Sequence, residues 1–514
     1  MIVIYHQNNK VIAVERDRES IVFLQTSIPK MVFKIAEEYP NELIIWSCID
    51  AKSNLNISKF PDIFHHNKIM ASFNPFQNPF LPEGIGYIEE SPFIKINKEV
   101  TYPTWQMSSY VGGIHASVLI ALKTAFIETK NFDYFLNSIS KLAMSEGLLC
   151  YSEPKLIIGF PNITQNQTSN TFVLFRFVKQ HYKTRWIFLL LLNLFLYERK
   201  MALLPFISSL FYFKRKLKKN VFDEIRIKSE KKVIESGTID ILIPTIGRRE
   251  YLKDVLLDLS LQTYLPKNVI IVEQNPDLEK VSDLDYITTE SWPFTIKHIF
   301  THQPGACNAR NLAMAEVKSE WVFMADDDIR LESLFLEEAF SVIEKDGAEQ
   351  ITFGCYAPNY PQNTKLKQKA QWGSFGSGCS IVKSENIKNI SYNPGFEFGY
   401  GEDTDFGMQL RNSGHDVLYA PKPEILHLKA PMGGFRTKPV LAWQNDPVQP
   451  KPSPTVMLYK ILNLSKQQIE GYKTVLFFKF YKAQAIKNPF LYLSTFKKQW
   501  KQSMYWANEL KNKK

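Results

Sequence analysis

Between Ile234 and Arg436 the spacing of apolar positions switches repeatedly between two periods. TIDILIPTIG is a nearly continuous apolar run closed by a turn, and the following REYLKDVLLDLSLQT places its apolar residues at helical intervals. NVIIVEQN is a second short β-branched run, ACNARNLAMAEV is helical, and EWVFMADDD is a third buried strand that ends in acids. Strands alternating with helices of this length predict a parallel α/β sheet. In such sheets ligands bind beyond the carboxyl ends of the strands. Polar residues stand at those ends: Pro244 and Thr245, then Glu273 and Gln274, then Asp326, Asp327 and Asp328.

The first ~160 residues also read as α/β, with strands near Ile2–Tyr5 and Leu43–Trp46. IAEEYPNELIIWSCID resembles NLAMAEVKSEWVFMADDD, and FLNSISKLAMSEGLLCYSEPKLI resembles FGMQLRNSGHDVLYAPKPEIL. Aligned on Glu42 and Glu320, the acidic triplet becomes Cys48, Ile49 and Asp50. The likeness is that of an internal duplication stripped of most acidic ligands, or of two unrelated α/β segments. Residues 186–219 carry two apolar runs split by Glu198, Arg199 and Lys200 and followed by KRKLKK. Neither run reaches the ~20 residues of a spanning helix. The pattern fits an interfacial helical hairpin with a basic flank, or a buried helix pair. After Lys451, PSPT reads as a turn-rich linker, and the tail behind it interleaves aromatics with lysines. No RNA- or DNA-binding motif accompanies it, so a membrane face or a packing surface is the preferred reading over nucleic acid. The expected division is an N-terminal α/β domain over 1–160, a helical connector over 170–232, the α/β domain over 234–440 and a helical region over 451–514.

The bulk composition narrows this picture. With 45% hydrophobic and 22% charged residues the chain is not a disordered one, and 514 residues exceed one ordinary domain. The formal charge of +10 favours anionic partners, including anionic lipid and phosphorylated substrates. Five cysteines without a CxxC read as reduced thiols, and the N-terminus lacks the basic and apolar regions of a signal peptide. These features place the protein in the cytoplasm, and its basic, aromatic flanks place it at the inner face of the membrane.

FMADDDIRL delivers three successive carboxylates from a buried strand, hard oxygen ligands of the kind Mg²⁺ or Mn²⁺ takes. Strand alternation puts Asp326 and Asp328 on one side and Asp327 on the other. A solvated acidic turn, or a cap before LESLFLEEAF, is the bland alternative. GEDTDFGMQLRNSG gathers Glu402, Asp403 and Asp405 at a helix start, where a carboxylate could take a proton or merely cap the helix. The helix dipole would keep such a carboxylate ionised. His427 in PEILHLKAP is a candidate metal ligand or a structural histidine.

Taken together, these residues resemble the family-two glycosyltransferases of the GT-A fold, over about 200 residues from ILIPTIGRR to HLKAPMGGFR. The resemblance implies an inverting transferase that uses a nucleotide-diphosphate sugar (UDP is the commonest donor in that family) and Mn²⁺ or Mg²⁺. It assigns Pro244, Thr245, Arg248, Glu273, Arg310, Asp326 and Asp327 to the donor. Asp328, His427 and Asp326 go to the metal, and Asp403 to the general base. Glu402, Trp372 and Gly378 go to the acceptor. The triple acid, the ED pair and a histidine 24 residues after Asp403 look most like galactofuranosyltransferase-like members. The implied acceptor is a glycan or a lipid-linked sugar in surface polysaccharide biosynthesis. A catalytically silent nucleotide- or glycan-binding scaffold is the competing reading.

Overall fold

In the computed structural model, residues 1–126, 129–159, 168–431 and 439–512 are described. Met432–Arg436, the end of the stretch that carries the family resemblance, lie outside them. The chain divides into two units, Met1–Lys231 with Leu464–Lys479, and Lys232–Asn463 with Phe480–Lys514. Each unit is built on one sheet.

The strands, in chain order, are β1 (Ile2–Gln7), β2 (Lys10–Arg16), β3 (Glu19–Ser20), β4 (Leu43–Cys48), β5 (Ile69–Phe73), β6 (Tyr102–Pro103), β7 (Val111–His115) and β8 (Leu149–Ser152) in the N-terminal unit. The C-terminal unit has β9 (Ile239–Thr245), β10 (Asn268–Gln274), β11 (Thr295–Thr301), β12 (Trp321–Ala325), β13 (Ile329–Arg330), β14 (Gln350–Tyr356), β15 (Ala370–Gln371), β16 (Cys379–Lys383) and β17 (Leu418–His427).

The C-terminal sheet runs β11-β10-β9-β12-β16-β14-β17-β13, with β15 also paired to β17. Its first four strands are parallel, and β16 enters antiparallel. β9, β10 and β12 are the three apolar runs of the sequence, and they are buried nearly throughout because helices cover a parallel sheet on both faces. β11 (TIKHIFT) is half-buried at the sheet edge and mostly polar, so it carries no apolar run to read. Asp240, fully buried in β9, accepts from the backbone N–H groups of Lys318 and Ser319, the Ser319 hydroxyl and Asn268 Nδ2. That set of bonds ties the turn before β12 to the sheet.

The N-terminal sheet runs β3-β2-β1-β4-β7-β5-β8-β6. Beyond it, Arg185–Glu198 and Leu203–Leu210 form two helices separated at Arg199, whose φ of 58° is left-handed. The first buries Ile187, Leu190 and Leu194 and exposes Phe188 and Phe195; Leu204, Phe211 and Phe213 are also exposed. No helix among the described residues is long and apolar enough to cross a membrane.

PSPT is not a linker in the fold: Pro454 opens the helix Pro454–Asn463, a position where the missing proline N–H costs nothing. In the last helix, Pro489–Lys511, Tyr492, Phe496, Trp500, Ser503, Ala507 and Leu510 form one buried stripe at helical spacing. The interleaved lysines of that segment are the solvent side of an amphipathic packing helix.

Candidate active site

The carboxyl end of β12 leads directly into the acidic triplet, which lies not in the strand but in the turn between β12 and β13. Asp327 turns inward and is 3% exposed. Its carboxylate accepts from Thr245 Oγ1 at 2.7 Å and Arg248 Nη1 at 2.5 Å. Burial pushes its pKa up to about 6, against the opposing pull of Arg248. Thr245 and Arg248 therefore hold the triplet's middle member, and Arg248 also lies 3.4 Å from Asp328 Oδ2.

Asp326 and Asp328 converge with His427, offering ligand atoms that lie within 4.8 Å of one another. The convergence depends on β13. This two-residue strand pairs antiparallel with β17 and sets Ile329 opposite His427, while the Leu428 N–H donates to the Asp328 carbonyl at 2.8 Å. His427 Nε2 lies 3.3 Å from Asp328 Oδ1, and Asp328 Oδ2 accepts the Ala430 N–H at 2.8 Å. The hydrogen bond to Asp328, then the one to Cys355, raises the imidazole pKa to about 10. Two carboxylates and an imidazole suit Mn²⁺ or Mg²⁺ with positions left for a substrate, and a bound cation would displace the imidazole proton.

Across the same cavity, of about 620 Å³, stand Glu402 and Asp403 at the start of the helix Glu402–Asn412. Gly401 turns the chain into this helix at φ 118°, a value that favours glycine. The Ser377 hydroxyl donates to Asp403 and itself accepts from the Tyr392 hydroxyl at 2.6 Å. The dipole expectation for these acids is overturned. Burial, followed by the charge of Asp403, lifts Glu402 to about 7, and burial likewise raises Asp403. Desolvation of the charged form outweighs the half-charge at the helix end. Asp405 points away from the cavity wall, to Asn463 and Gln409, and is structural.

Arg310 donates to Asp326 Oδ1 at 3.0 Å, and its Nε has no hydrogen-bond partner. Gly378 closes the cavity beside Asp326: a Cβ there would sit 2.1 Å from Asp326 Oδ2, so any side chain would force the Asp326 carboxylate to move. Pro244 lines the cavity as well.

Two assigned residues do not reach it. Glu273 bonds to His298 Nε2 at 2.9 Å and accepts the Asp283 N–H at 3.3 Å, which leaves Gln274 to line the wall. Burial raises the Glu273 pKa, but these hydrogen bonds win and hold it below the usual carboxylate value. Trp372 is half-buried and packs on Tyr419 with ring centres 4.9 Å apart. Sequence reasoning missed Glu397, which accepts the N–H groups of Cys307 and Asn308 at 3.1 and 3.0 Å and so caps the helix that carries Arg310. It also missed Ser377, the partner of Asp403. Neither sits in a recognisable motif.

Residues 240–400 match the model of Glycosyl transferase family 2. The chain carries a family 2 glycosyltransferase domain. The matched stretch contains the acidic triplet and stops just before Glu402, so Asp403 and His427 are placed by the structure rather than by the family match. No curated protein matches the chain. Among solved structures, S. aureus TarS is similar at 16% identity over 46% of this chain and 42% of that one, TM-score 0.33. This chain thus spans less than half of that TarS chain. TarS 1–349 in complex with UDP-GlcNAc is similar at 17% identity over 52% of this chain and 79% of that one, TM-score 0.35. GalNAc-T7 with UDP, GalNAc and Mn²⁺ is similar at 12% identity over 44% and 48%, TM-score 0.35.

Proposed function

We propose that the glycosyltransferase domain is a metal-dependent inverting enzyme. It moves a hexosyl or galactofuranosyl group from a nucleotide-diphosphate sugar to a hydroxyl of a glycan or lipid-linked acceptor, in surface polysaccharide biosynthesis. The observation that carries this reading is one cavity lined by the cluster of Asp326, Asp328 and His427 and by Asp403 and Glu402. A divalent cation bound by the first three would supply Lewis-acid stabilisation of the departing diphosphate. Arg310 adds a fixed positive charge beside it. Asp403 takes the acceptor hydroxyl proton as the acceptor oxygen bonds to the anomeric carbon and the carbon–diphosphate bond breaks. Attack from the face opposite the diphosphate inverts that carbon.

The deciding experiment is a thermal-shift and donor-hydrolysis screen of the full chain against nucleotide sugars with Mn²⁺ or Mg²⁺, UDP-sugars first. One donor class should raise Tm and release its nucleoside diphosphate. If every donor is inert with both metals, the reading fails; metal-dependent nucleotide binding without turnover on any acceptor would instead favour the silent scaffold.

We also propose peripheral attachment to an anionic membrane surface. Support comes from the exposed Phe188, Phe195, Leu204, Phe211 and Phe213, next to Lys214, Lys216, Lys218 and Lys219. The chain should sediment with vesicles rich in phosphatidylglycerol, more weakly at high salt, and F211D together with F213D should release it. Equal sedimentation of the double variant would remove this assignment.

A further inference from the structure

The N-terminal unit has a cavity of its own, of about 350 Å³, in the same place in its sheet. Strand order and sense match throughout: β1, β4, β5, β6, β7 and β8 repeat the pairings of β9, β12, β14, β15, β16 and β17. The register matches as well. Ile44 pairs with Ile2 and Ile114, and Ile114 with Met70, as Val322 pairs with Asp240 and Val382, and Val382 with Gln350. One residue on, Ala71 pairs with Tyr151 as Ile351 pairs with Leu418. The first sequence likeness, aligned on Glu42 and Glu320, sets Ile44 on Val322 as the pairing does, so pairing and sequence agree there on an internal duplication.

Carried to the strand ends, this register makes His6 the counterpart of Pro244, Cys48 of Asp326, Ser109 of Ser377 and Tyr110 of Gly378. All four N-terminal members line the N-terminal cavity. A carboxylate also stands near the place of the proposed base, by its position at the helix start and not by the sequence likeness, which sets Asp133 on Thr404. Asp133 is the second residue of the helix Phe132–Ala143, as Asp403 is of its helix, and it accepts the Ser109 N–H at 2.9 Å. Asp133 also lines the cavity.

What has gone is the donor side. A thiol stands where Asp326 would be, and a tyrosine ring stands where Gly378 leaves room for a carboxylate. In place of the Arg248 loop and the parallel β10 and β11, β1 turns straight back into antiparallel β2. What remains is suited to an uncharged polyol: the exposed amide of Gln7, the Nδ2 of Asn131, the half-buried ring of Phe76, and a Tyr110 hydroxyl that has no hydrogen-bond partner. Amides donate and accept, and ring faces cover the C–H faces of a sugar.

We propose that this cavity binds a neutral saccharide without metal, as a second glycan-holding site that kept the hydroxyl-accepting aspartate and lost the nucleotide side. The ligand class rests on the glycosyltransferase reading; the site itself rests on the duplication.

The test applies the full chain, in EDTA, to a printed array of neutral and acidic glycans, with UDP as a separate ligand by calorimetry. Neutral glycans should bind in EDTA. The rim substitution Gln7→Trp, which fills the cavity from an exposed position, should weaken that binding at least tenfold, and so should Asp133→Asn. Both variants should leave nucleotide-sugar hydrolysis unchanged. Three outcomes overturn the proposal: no glycan bound in EDTA, glycan binding lost on Asp403→Asn but kept in Gln7→Trp, or UDP rather than glycan displaced by Gln7→Trp. Glycan binding that persists in a chain inert towards every nucleotide sugar would instead refute the catalytic reading and leave this site standing.

Discussion

Asp328→Ala is expected to lower kcat/KM by roughly 10³-fold, about 4 kcal/mol of transition-state stabilisation, because it removes the buried carboxylate that His427 and Asp326 need to hold a cation. EDTA on the wild type should do the same, and added Mn²⁺ should restore the wild type but not the variant. Asp328 is 3% exposed and accepts the Ala430 N–H, so the alanine also leaves a buried donor unpaired, at a cost of about 1–3 kcal/mol in stability. Asp328→Asn separates the two effects, since an amide oxygen can still accept from Ala430 while the charge is lost. Calorimetric Mn²⁺ binding and denaturation should be read on both variants. Wild-type turnover in Asp328→Asn, with tight Mn²⁺ binding, would show that the cation sits elsewhere or is not needed.

Asp403→Asn should lower kcat by about 10²–10⁴-fold, the usual worth of a positioned general base, with little change in donor affinity. The Ser377 hydroxyl can still donate to an amide oxygen, so the helix start should stay in place. The pH profile gives a second handle. A base works only when unprotonated, and both acids are raised, Glu402 to about 7. The wild-type rate should therefore climb with pH above the ordinary carboxylate range, with the apparent value belonging to the coupled pair. In Asp403→Asn the neighbouring charge that helps to raise Glu402 is gone, so any residual limb should move to lower pH. A full rate in the variant, or a loss that appears only in the donor KM, would remove Asp403 from its role as base.

How much of this was visible along the chain can be judged residue by residue. The three buried strands were legible because a parallel sheet covered on both faces demands continuous apolar runs, and β9, β10 and β12 supply them. β11 was not legible, because an edge strand faces solvent and needs no such run. The acids at the end of β12 were legible, but the burial of both Asp327 and Asp328 was not, because strand alternation stops at Ala325 and the triplet is a turn. Thr245 and Arg248, which hold Asp327, lie some eighty positions away from it and also line the cavity.

Local pattern was enough for strands, helix starts and the placing of acids at their ends, since each depends on neighbours within a few positions. It could not say which ends meet. Asp328 and His427 share a site because two residues of β13 pair with β17, a contact whose strength lies in register and not in composition. Glu273 and Trp372 stand near strand ends in the sequence, but the fold sets them outside the cavity lining, against His298 and Tyr419. The charge states of Glu402 and Asp403 also needed the folded chain, because desolvation is a property of everything packed around a carboxylate and a helix dipole only of its own segment.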